Sequence, residues 1–202
     1  MLIYLHGLNS SSQSHKATLL REALAPLPLL APDYPAHRPH EAIVTLMRLV
    51  GAHAGPGMAA PALIGSSMGG FYGQYLARRL PVSHLFMINP ALRPWELLAD
   101  YVDRQMTTAG GEDYRLDADT IASTRAYGVD RPCDGEDDGV PTTVFADAGD
   151  EVIDYRVAAA MYRDCGRVLV YAGGDHAFQH LDEAVGVMRE TLGLEGAGAA
   201  RR

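Results

Sequence analysis

Short apolar runs alternate with amphipathic segments along most of the chain. Each apolar run has the length of a buried β-strand, and the segments between them carry apolar residues at helical spacing. The predicted strands are Leu2–Leu5, Leu27–Ala31, Pro61–Ile64, Ser83–Ile88, Thr142–Ala146 and Val168–Tyr171. The predicted helices cover residues 14–27, Glu41–His53, Met68–Leu80, Tyr155–Cys165 and Phe178–Leu192. This alternation predicts an α/β fold with a mostly parallel sheet of about six strands and helices on both faces.

Residues 91–139 interrupt the alternation, and this stretch is too long for an ordinary connection in a compact domain. It contains the segment "RPWELLADYVDRQ" and closes with the acidic run "DGEDDG". We therefore expect a single domain over residues 1–202 that carries a small cap insertion with one amphipathic helix near Pro94–Gln105. Residues 193–202 lack apolar periodicity, so we expect a flexible tail there.

Composition and charge exclude several classes of protein. The 202 residues carry a formal net charge of −8, which argues against a nucleic-acid partner because such a protein needs a basic face. No stretch has the apolar length of a membrane span, and the first residues lack the basic flank of a signal peptide. Cys133 and Cys165 match neither a metal spacing nor a disulfide framework. We therefore predict reduced thiols and a cytoplasmic protein.

The segment "LIGSSMGGFY" points to nucleophilic chemistry. Its G-x-S-x-G motif lies between a predicted strand and a predicted helix, the setting of a nucleophile elbow that exposes a serine on a strained turn. Ser67 is the central residue of that motif. If Ser66 were central instead, Ile64 and Met68 would stand where the turn needs small residues. The sequence therefore favours Ser67 as the nucleophile.

A serine nucleophile needs a base, and the base needs a residue that orients it. In this arrangement the acid and then the histidine follow the serine along the chain. His176 lies just after the last predicted strand, whereas His180, its competitor, falls where a helix should already have begun. Asp150 lies in the loop after the fifth strand and is the predicted acid. Asp147 is the second choice, and Asp154 is better placed to cap the following helix.

The remaining parts of the site are predicted from position. The backbone N–H groups of Met68, after the nucleophile, and of Leu8, after the first strand, are the candidate oxyanion-hole donors. Trp95 and Leu98 on the cap are candidate substrate-pocket residues. The expected chemistry is acyl transfer from a small-molecule ester to Ser67 and then to water, which requires neither a metal nor a cofactor. Oligomeric state is not predicted.

Five segments together resemble the α/β-hydrolase superfamily and, within it, the small YqiA/YcfP-like esterase family. They are "IYLHGLNSSSQSHKA", "LIGSSMGGFY", "NPALRPWELL", "GDEVIDYR" and "GGDHAF", in family order from Ile3 to Phe178. The resemblance implies a cytoplasmic bacterial serine hydrolase that acts on short acyl esters, with Ser67 as nucleophile, Asp150 as acid and His176 as base.

Three alternatives to an esterase share the same fold. A thioesterase or a peptidase would use the same triad. A binding module without catalysis is a separate class, because a fold alone never establishes an activity. An intact Ser–Asp–His order argues against it. A haloalkane dehalogenase would need an aspartate in place of Ser67.

Overall fold

The computed structural model describes residues 1–55, 57–134 and 139–194. The central sheet has six strands in the order β2-β1-β3-β4-β7-β8, and every neighbouring pair is parallel. The strands are β1 Leu2–Leu5, β2 Leu29–Leu30, β3 Ala62–Ser66, β4 His84–Ile88, β7 Thr142–Asp147 and β8 Gly166–Tyr171. The predicted strands are confirmed, although the second is shorter than the sequence suggested.

The helices that accompany the sheet are α1 His15–Ala23, α2 Pro39–Ala52, α3 Met68–Ala77, α6 Tyr155–Tyr162 and α7 Leu181–Thr191. Alternate residues of each strand serve opposite faces, as the pleat requires. In β1, Ile3 and Leu5 pack with the α2, α3 and α6 side, whereas Leu2 and Tyr4 pack with α1 and α7. The sheet is therefore covered on both faces, which is why its central strands are mostly apolar.

The insertion differs from the predicted helix near Pro94–Gln105. Helix α4 spans only Pro94–Leu97 and is followed by a 3₁₀ turn, Ala99–Tyr101. Asp103 then takes a positive φ of 59°, which a helix does not tolerate. An antiparallel hairpin follows, formed by β5 Gln105–Thr107 and β6 Asp113–Arg115. A short helix, α5 Ala118–Ser123, and a 3₁₀ turn, Thr124–Tyr127, complete the described part of the insertion.

Leu98, Leu116 and Ile121 form a small hydrophobic cluster that packs the insertion together. Leu8, near the start of the loop after β1, contacts this cluster. The insertion is thereby anchored beside the carboxyl-terminal edge of the sheet. Most of its predicted acidic run, residues 135–138, lies outside the described residues, and so do residues 195–202 of the predicted tail.

The prediction of reduced cysteines is wrong, because Cys133 and Cys165 form a disulfide with 5.3 Å between their Cα atoms. Cys133 lies near the end of the insertion and Cys165 lies in the turn between α6 and β8. A sequence separation of 32 carries no pairing signal, since only the packing of the insertion against α6 brings the two residues together. Among the described helices, none has the length and apolar character needed to cross a bilayer.

Candidate active site

Ser67 lies at a strained turn between β3 and α3. Its φ of 53° and ψ of −120° are unusual for a residue with a side chain. A Cβ on Gly65 would lie 2.4 Å from the Gly69 carbonyl oxygen, and one on Gly69 would lie 1.9 Å from the Leu5 carbonyl oxygen. The turn is so tight that only glycine fits at both positions, which is the geometry of a nucleophile elbow.

The neighbouring Ser66 is differently placed. It is 6% exposed, and its Oγ accepts a hydrogen bond from Lys16 Nζ at 2.8 Å. Ser67 is partly exposed at the mouth of the turn. The Ser66 hydroxyl is thus tied to α1, whereas the Ser67 hydroxyl is the one presented at the edge of the sheet.

Asp150 and His176 are in direct contact at this edge. His176 Nδ1 lies 2.9 Å from Asp150 Oδ2 and 3.1 Å from Oδ1. The carboxylate is itself oriented by the N–H groups of Val152 and Ile153, which both donate to Oδ1 at 2.9 Å. Its side chain is 2% exposed and that of His176 is 28% exposed. With Nδ1–H donated to the carboxylate, Nε2 is left with its lone pair free to accept a proton.

The two competing candidates pair with each other. Asp147 is fully buried, and its Oδ1 lies 2.6 Å from Nδ1 of His180. The His180 ring stacks on Tyr171 with 4.8 Å between ring centroids and an interplanar angle of 9°. Asp154 accepts a hydrogen bond from the N–H of Arg156 and caps α6, as predicted. The three carboxylates therefore have different partners: Asp150 pairs with His176, Asp147 pairs with His180, and Asp154 caps α6.

The sheet order brings the loops after β3, β7 and β8 to one edge. Asn89, just after β4, connects them: its side chain donates to the Asp175 carbonyl at 3.0 Å. Ala91 N–H donates to the Ser67 carbonyl at 3.1 Å. Among the hydrogen bonds of the described residues, none joins Ser67 Oγ to the His176 ring. Such bonds often tighten only when substrate is bound.

The loop after β1 passes beside Ser67. A Cβ on Gly7 would lie 3.1 Å from Ser67 Cβ and 3.6 Å from its Oγ. Within the described residues, neither Leu8 N–H nor Met68 N–H donates a hydrogen bond. His6 supports this loop: its Nδ1 lies 2.8 Å from the Gly7 carbonyl oxygen, and burial lowers its pKa. A neutral His6 therefore acts as a structural residue here.

A small apolar cavity of about 10 Å³ lies beside Leu8 and Met68, the residues whose N–H groups are the candidate oxyanion-hole donors. Leu8, Met68 and Leu98 line it together with Leu116 and Ile121. Trp95 is not among its lining residues. Its ring packs against Phe71 and beneath the Arg125 guanidinium.

A larger cavity, about 310 Å³, lies at the opposite end of the sheet, beside Leu85 and Thr142. None of the triad candidates lines it. Within the described ranges, no three His, Cys, Asp or Glu side chains converge as metal ligands would.

Asn89 is the site residue that sequence reasoning missed. It is 2% exposed and connects the loops after β7 and β8. The available signal was a lone polar residue directly after an apolar strand, at the edge where functional groups collect in parallel sheets.

Solved structures of similar architecture come from bacteria and mouse. Est1E from Butyrivibrio proteoclasticus gives a TM-score of 0.73 at 15% identity, covering 95% of this chain and 86% of that chain. Mouse alpha/beta hydrolase domain-containing protein 10 gives 0.69 at 15% identity, covering 96% and 89%. The esterase domain of a Rhodothermus marinus protein gives 0.65 at 20% identity, covering 96% and 84%. At such identities the similarity establishes the fold.

The chain therefore has the α/β-hydrolase fold that the sequence predicted. The model of UPF0227, described as an uncharacterised protein family, matches residues 1–190. The chain belongs to that family, and the resemblance to YqiA/YcfP-like proteins is confirmed.

Proposed function

We propose that the protein is a serine hydrolase, a carboxylesterase that cleaves small acyl esters through Ser67, Asp150 and His176. The observation that carries the proposal is the Asp150–His176 pair at 2.9 Å, at the same sheet edge as a strained, partly exposed Ser67. An acid, a base and a nucleophile in the loops after β7, β8 and β3, at one edge of the sheet, match the roles that acyl transfer requires.

In the first half-reaction His176 Nε2 takes the Ser67 proton as Oγ forms a bond to the acyl carbon. The developing oxyanion accepts hydrogen bonds from the N–H groups of Leu8 and Met68, which have no other acceptor in the described part of the chain. Collapse of the tetrahedral intermediate breaks the bond to the alcohol, which leaves with the proton from His176. Asp150 holds the ring and stabilises its charged form.

In the second half-reaction water replaces the alcohol. His176 removes a proton from the water as its oxygen bonds to the acyl carbon, and the carboxylic acid leaves as Ser67 regains its proton. The protein thus needs no electron acceptor or donor for this chemistry.

A small acyl group is supported by the cavity beside the oxyanion donors. Its volume of about 10 Å³ leaves room for only a very small group, and Leu98 is one of its lining residues. A long acyl chain would have to displace the cap cluster of Leu98, Leu116 and Ile121. We therefore expect short acyl esters to be the best substrates. A thioesterase or peptidase activity and a non-catalytic role remain the competing hypotheses.

Cytoplasmic localisation stays a prediction of the family resemblance. The argument from reduced thiols no longer supports it, because Cys133 and Cys165 are paired.

The test of the proposal is hydrolysis of nitrophenyl esters from acetyl to octanoyl. We expect turnover of the acetyl ester by the natural sequence and a loss of at least about 10³-fold in Ser67→Ala. Equal rates in the two proteins would reject the mechanism. A matching panel of thioesters and anilides separates the related hydrolase activities.

A further inference from the structure

The residues around His176 are held by a hydrogen-bonded network centred on Asp147. The Asp147 side chain is fully buried. Its Oδ2 accepts hydrogen bonds from the Asp175 N–H at 3.3 Å and the Gln179 N–H at 2.7 Å. Its Oδ1 is paired with His180 at 2.6 Å. One carboxylate thus fixes the chain both before and after His176.

Asn89 also forms hydrogen bonds with the residue that precedes His176 and with the end of β7. Its Nδ2 donates to the Asp175 carbonyl at 3.0 Å, and its Oδ1 accepts from the Asp147 N–H at 2.9 Å. Its own N–H donates to the Phe145 carbonyl at 2.9 Å, which fixes Asn89 to β7. Both backbone groups of Asp175 therefore have partners in the network, so the peptide that leads into His176 is restrained.

Close packing joins the acid loop to the base loop. A Cβ on Gly174, whose φ is +73°, would lie 1.9 Å from Asp147 Oδ2. A Cβ on Gly149 would lie 2.5 Å from the Gly174 carbonyl oxygen, and Gly149 N–H donates to the Gly173 carbonyl at 2.7 Å. The loop that carries Asp150 and the loop that carries His176 thus contact one another directly.

Lys16, on α1, carries a charge opposite to that of Asp147. Burial lowers the pKa of Lys16 to about 8, and the carboxylates of Asp147, Asp150 and Asp175 act against that decrease. Its Nζ donates to Ser66 Oγ at 2.8 Å, and among the described residues it forms no direct ion pair with these carboxylates. Buried charges persist in proteins where hydrogen bonds and a counter-charge compensate them.

We propose that Asn89 and Asp147, together with His180, are positioning residues that hold the His176 ring at hydrogen-bonding distance from Asp150. The proposal rests on the proposed function in that it takes His176 as the general base. None of the three touches the reacting atoms. They act by fixing the backbone on each side of His176, so that its ring keeps the orientation in which Nε2 faces the edge that carries Ser67.

The test compares Asn89→Leu with Gln74→Leu. Gln74 is a matched control because it is also 2% exposed, also an amide, and hydrogen-bonded at 2.8 Å to Tyr162, away from the triad. Steady-state kinetics on a short nitrophenyl ester should show kcat lowered by about tenfold to a hundredfold in Asn89→Leu with KM changed less than about threefold. Gln74→Leu should lose comparable thermal stability and keep kcat within about twofold.

His180→Phe provides a second variant, and circular dichroism establishes that it is folded before its kinetics are measured. Phenylalanine can still stack on Tyr171 but cannot donate to Asp147. We expect a decrease in kcat of about tenfold, again with little change in KM. The proposal is overturned if folded Asn89→Leu and His180→Phe both keep kcat as well as Gln74→Leu does, because the network would then be purely structural.

A readout independent of activity separates this proposal from the proposed function. The proton NMR signal of the His176 Nδ1–H in its bond to Asp150 is assigned by its loss in His176→Gln, and that of His180 by its loss in His180→Phe. The His176 signal should disappear or broaden in Asn89→Leu and persist in Gln74→Leu. Its persistence in both overturns the positioning role. Absence of hydrolysis in the natural sequence, with the signal behaving as expected, rejects the proposed function alone.

Discussion

The carboxylate of Asp147 and the imidazole of His180 are paired at 2.6 Å, and the next carboxylate and imidazole at this edge, Asp150 and His176, are paired at 2.9 Å. The two pairs differ in their surroundings. Asp147 is held by backbone donors of the loop after β8, whereas Asp150 is held by backbone donors of its own loop. Only the second pair belongs to the proposed catalytic triad.

Replacing Asp150 with asparagine tests the assignment of the acid. Because Asn cannot stabilise a charged imidazole, Asp150→Asn should lower kcat for a short ester by about 10³-fold or more while thermal unfolding changes little. Asp154→Asn is the control. Asparagine caps a helix about as well as aspartate, so this variant should change stability by less than about 1 kcal/mol and should keep activity. A severe loss of kcat at Asp154 and a mild loss at Asp150 would show that the acid is misassigned.

Leu98 is expected to set the acyl-chain preference. Leu98→Ala enlarges the small cavity beside Leu8 and Met68, so the ratio of kcat/KM for butyryl over acetyl esters should rise by about tenfold. The adjacent Leu97 provides the matched truncation, because it packs on the main core rather than on the cavity. Leu97→Ala should lower stability and leave the ratio unchanged. The same ratio in all three proteins would remove Leu98 from the pocket.

His84 should make the protein less stable in acid. Burial lowers the pKa of His84 to about 4, and the ring stacks on Phe86. The unfolded chain binds a proton near pH 6.5, whereas the folded chain does so only near pH 4. Unfolding is therefore favoured progressively as the pH falls through that window. Because the ring is partly exposed and solvent screens its charge, His84 should contribute a loss of no more than about 2 kcal/mol between pH 6.5 and 4.

Urea unfolding of His84→Gln and of the control His15→Gln across this pH range measures that contribution. His15 lies at the exposed start of α1. The slope of unfolding free energy against pH should flatten in His84→Gln alone. An unchanged slope in His84→Gln would mean that the folded protein accommodates a charged His84.

The disulfide should stabilise the fold without serving catalysis. It closes a loop between residues separated by 32 positions, so reduction should lower the unfolding free energy by about 3 kcal/mol. The double variant Cys133→Ala with Cys165→Ala should unfold at the same denaturant concentration as the reduced protein and should not respond to reductant. Two alkylatable thiols in the untreated native protein would contradict the pairing.

The sheet and its helices were predictable because the central strands are buried on both faces and are therefore mostly apolar. The triad candidates followed from the same regularity, since Ser67 directly follows β3, and Asp150 and His176 lie in the loops after β7 and β8. In a parallel sheet the carboxyl ends of all strands lie at one edge, so residues that follow different strands lie at that same edge.

The insertion and the cysteines were not predictable in this way. A three-residue strand such as Gln105–Thr107 has too few positions to show a period, and its residues are mostly exposed. The pairing of Cys133 with Cys165, and that of Asp147 with His180, depends on how distant segments pack. Local sequence does not encode such contacts. Asp147, the second choice for the acid, instead accepts hydrogen bonds from the N–H groups of Asp175 and Gln179 in the loop after β8.

Fluorophosphonate labelling tests the central claim, an activated Ser67, without any assumption about the natural substrate. Serines that lack a base and an oxyanion hole, such as Ser10 and Ser11, do not react at neutral pH. Tandem mass spectrometry should find one label per chain, on Ser67. Labelling should vanish in Ser67→Ala, fall at least about a hundredfold in rate in His176→Gln, and persist in Ser66→Ala. A folded protein that takes up no label, or one that is labelled on Ser66, would contradict the account.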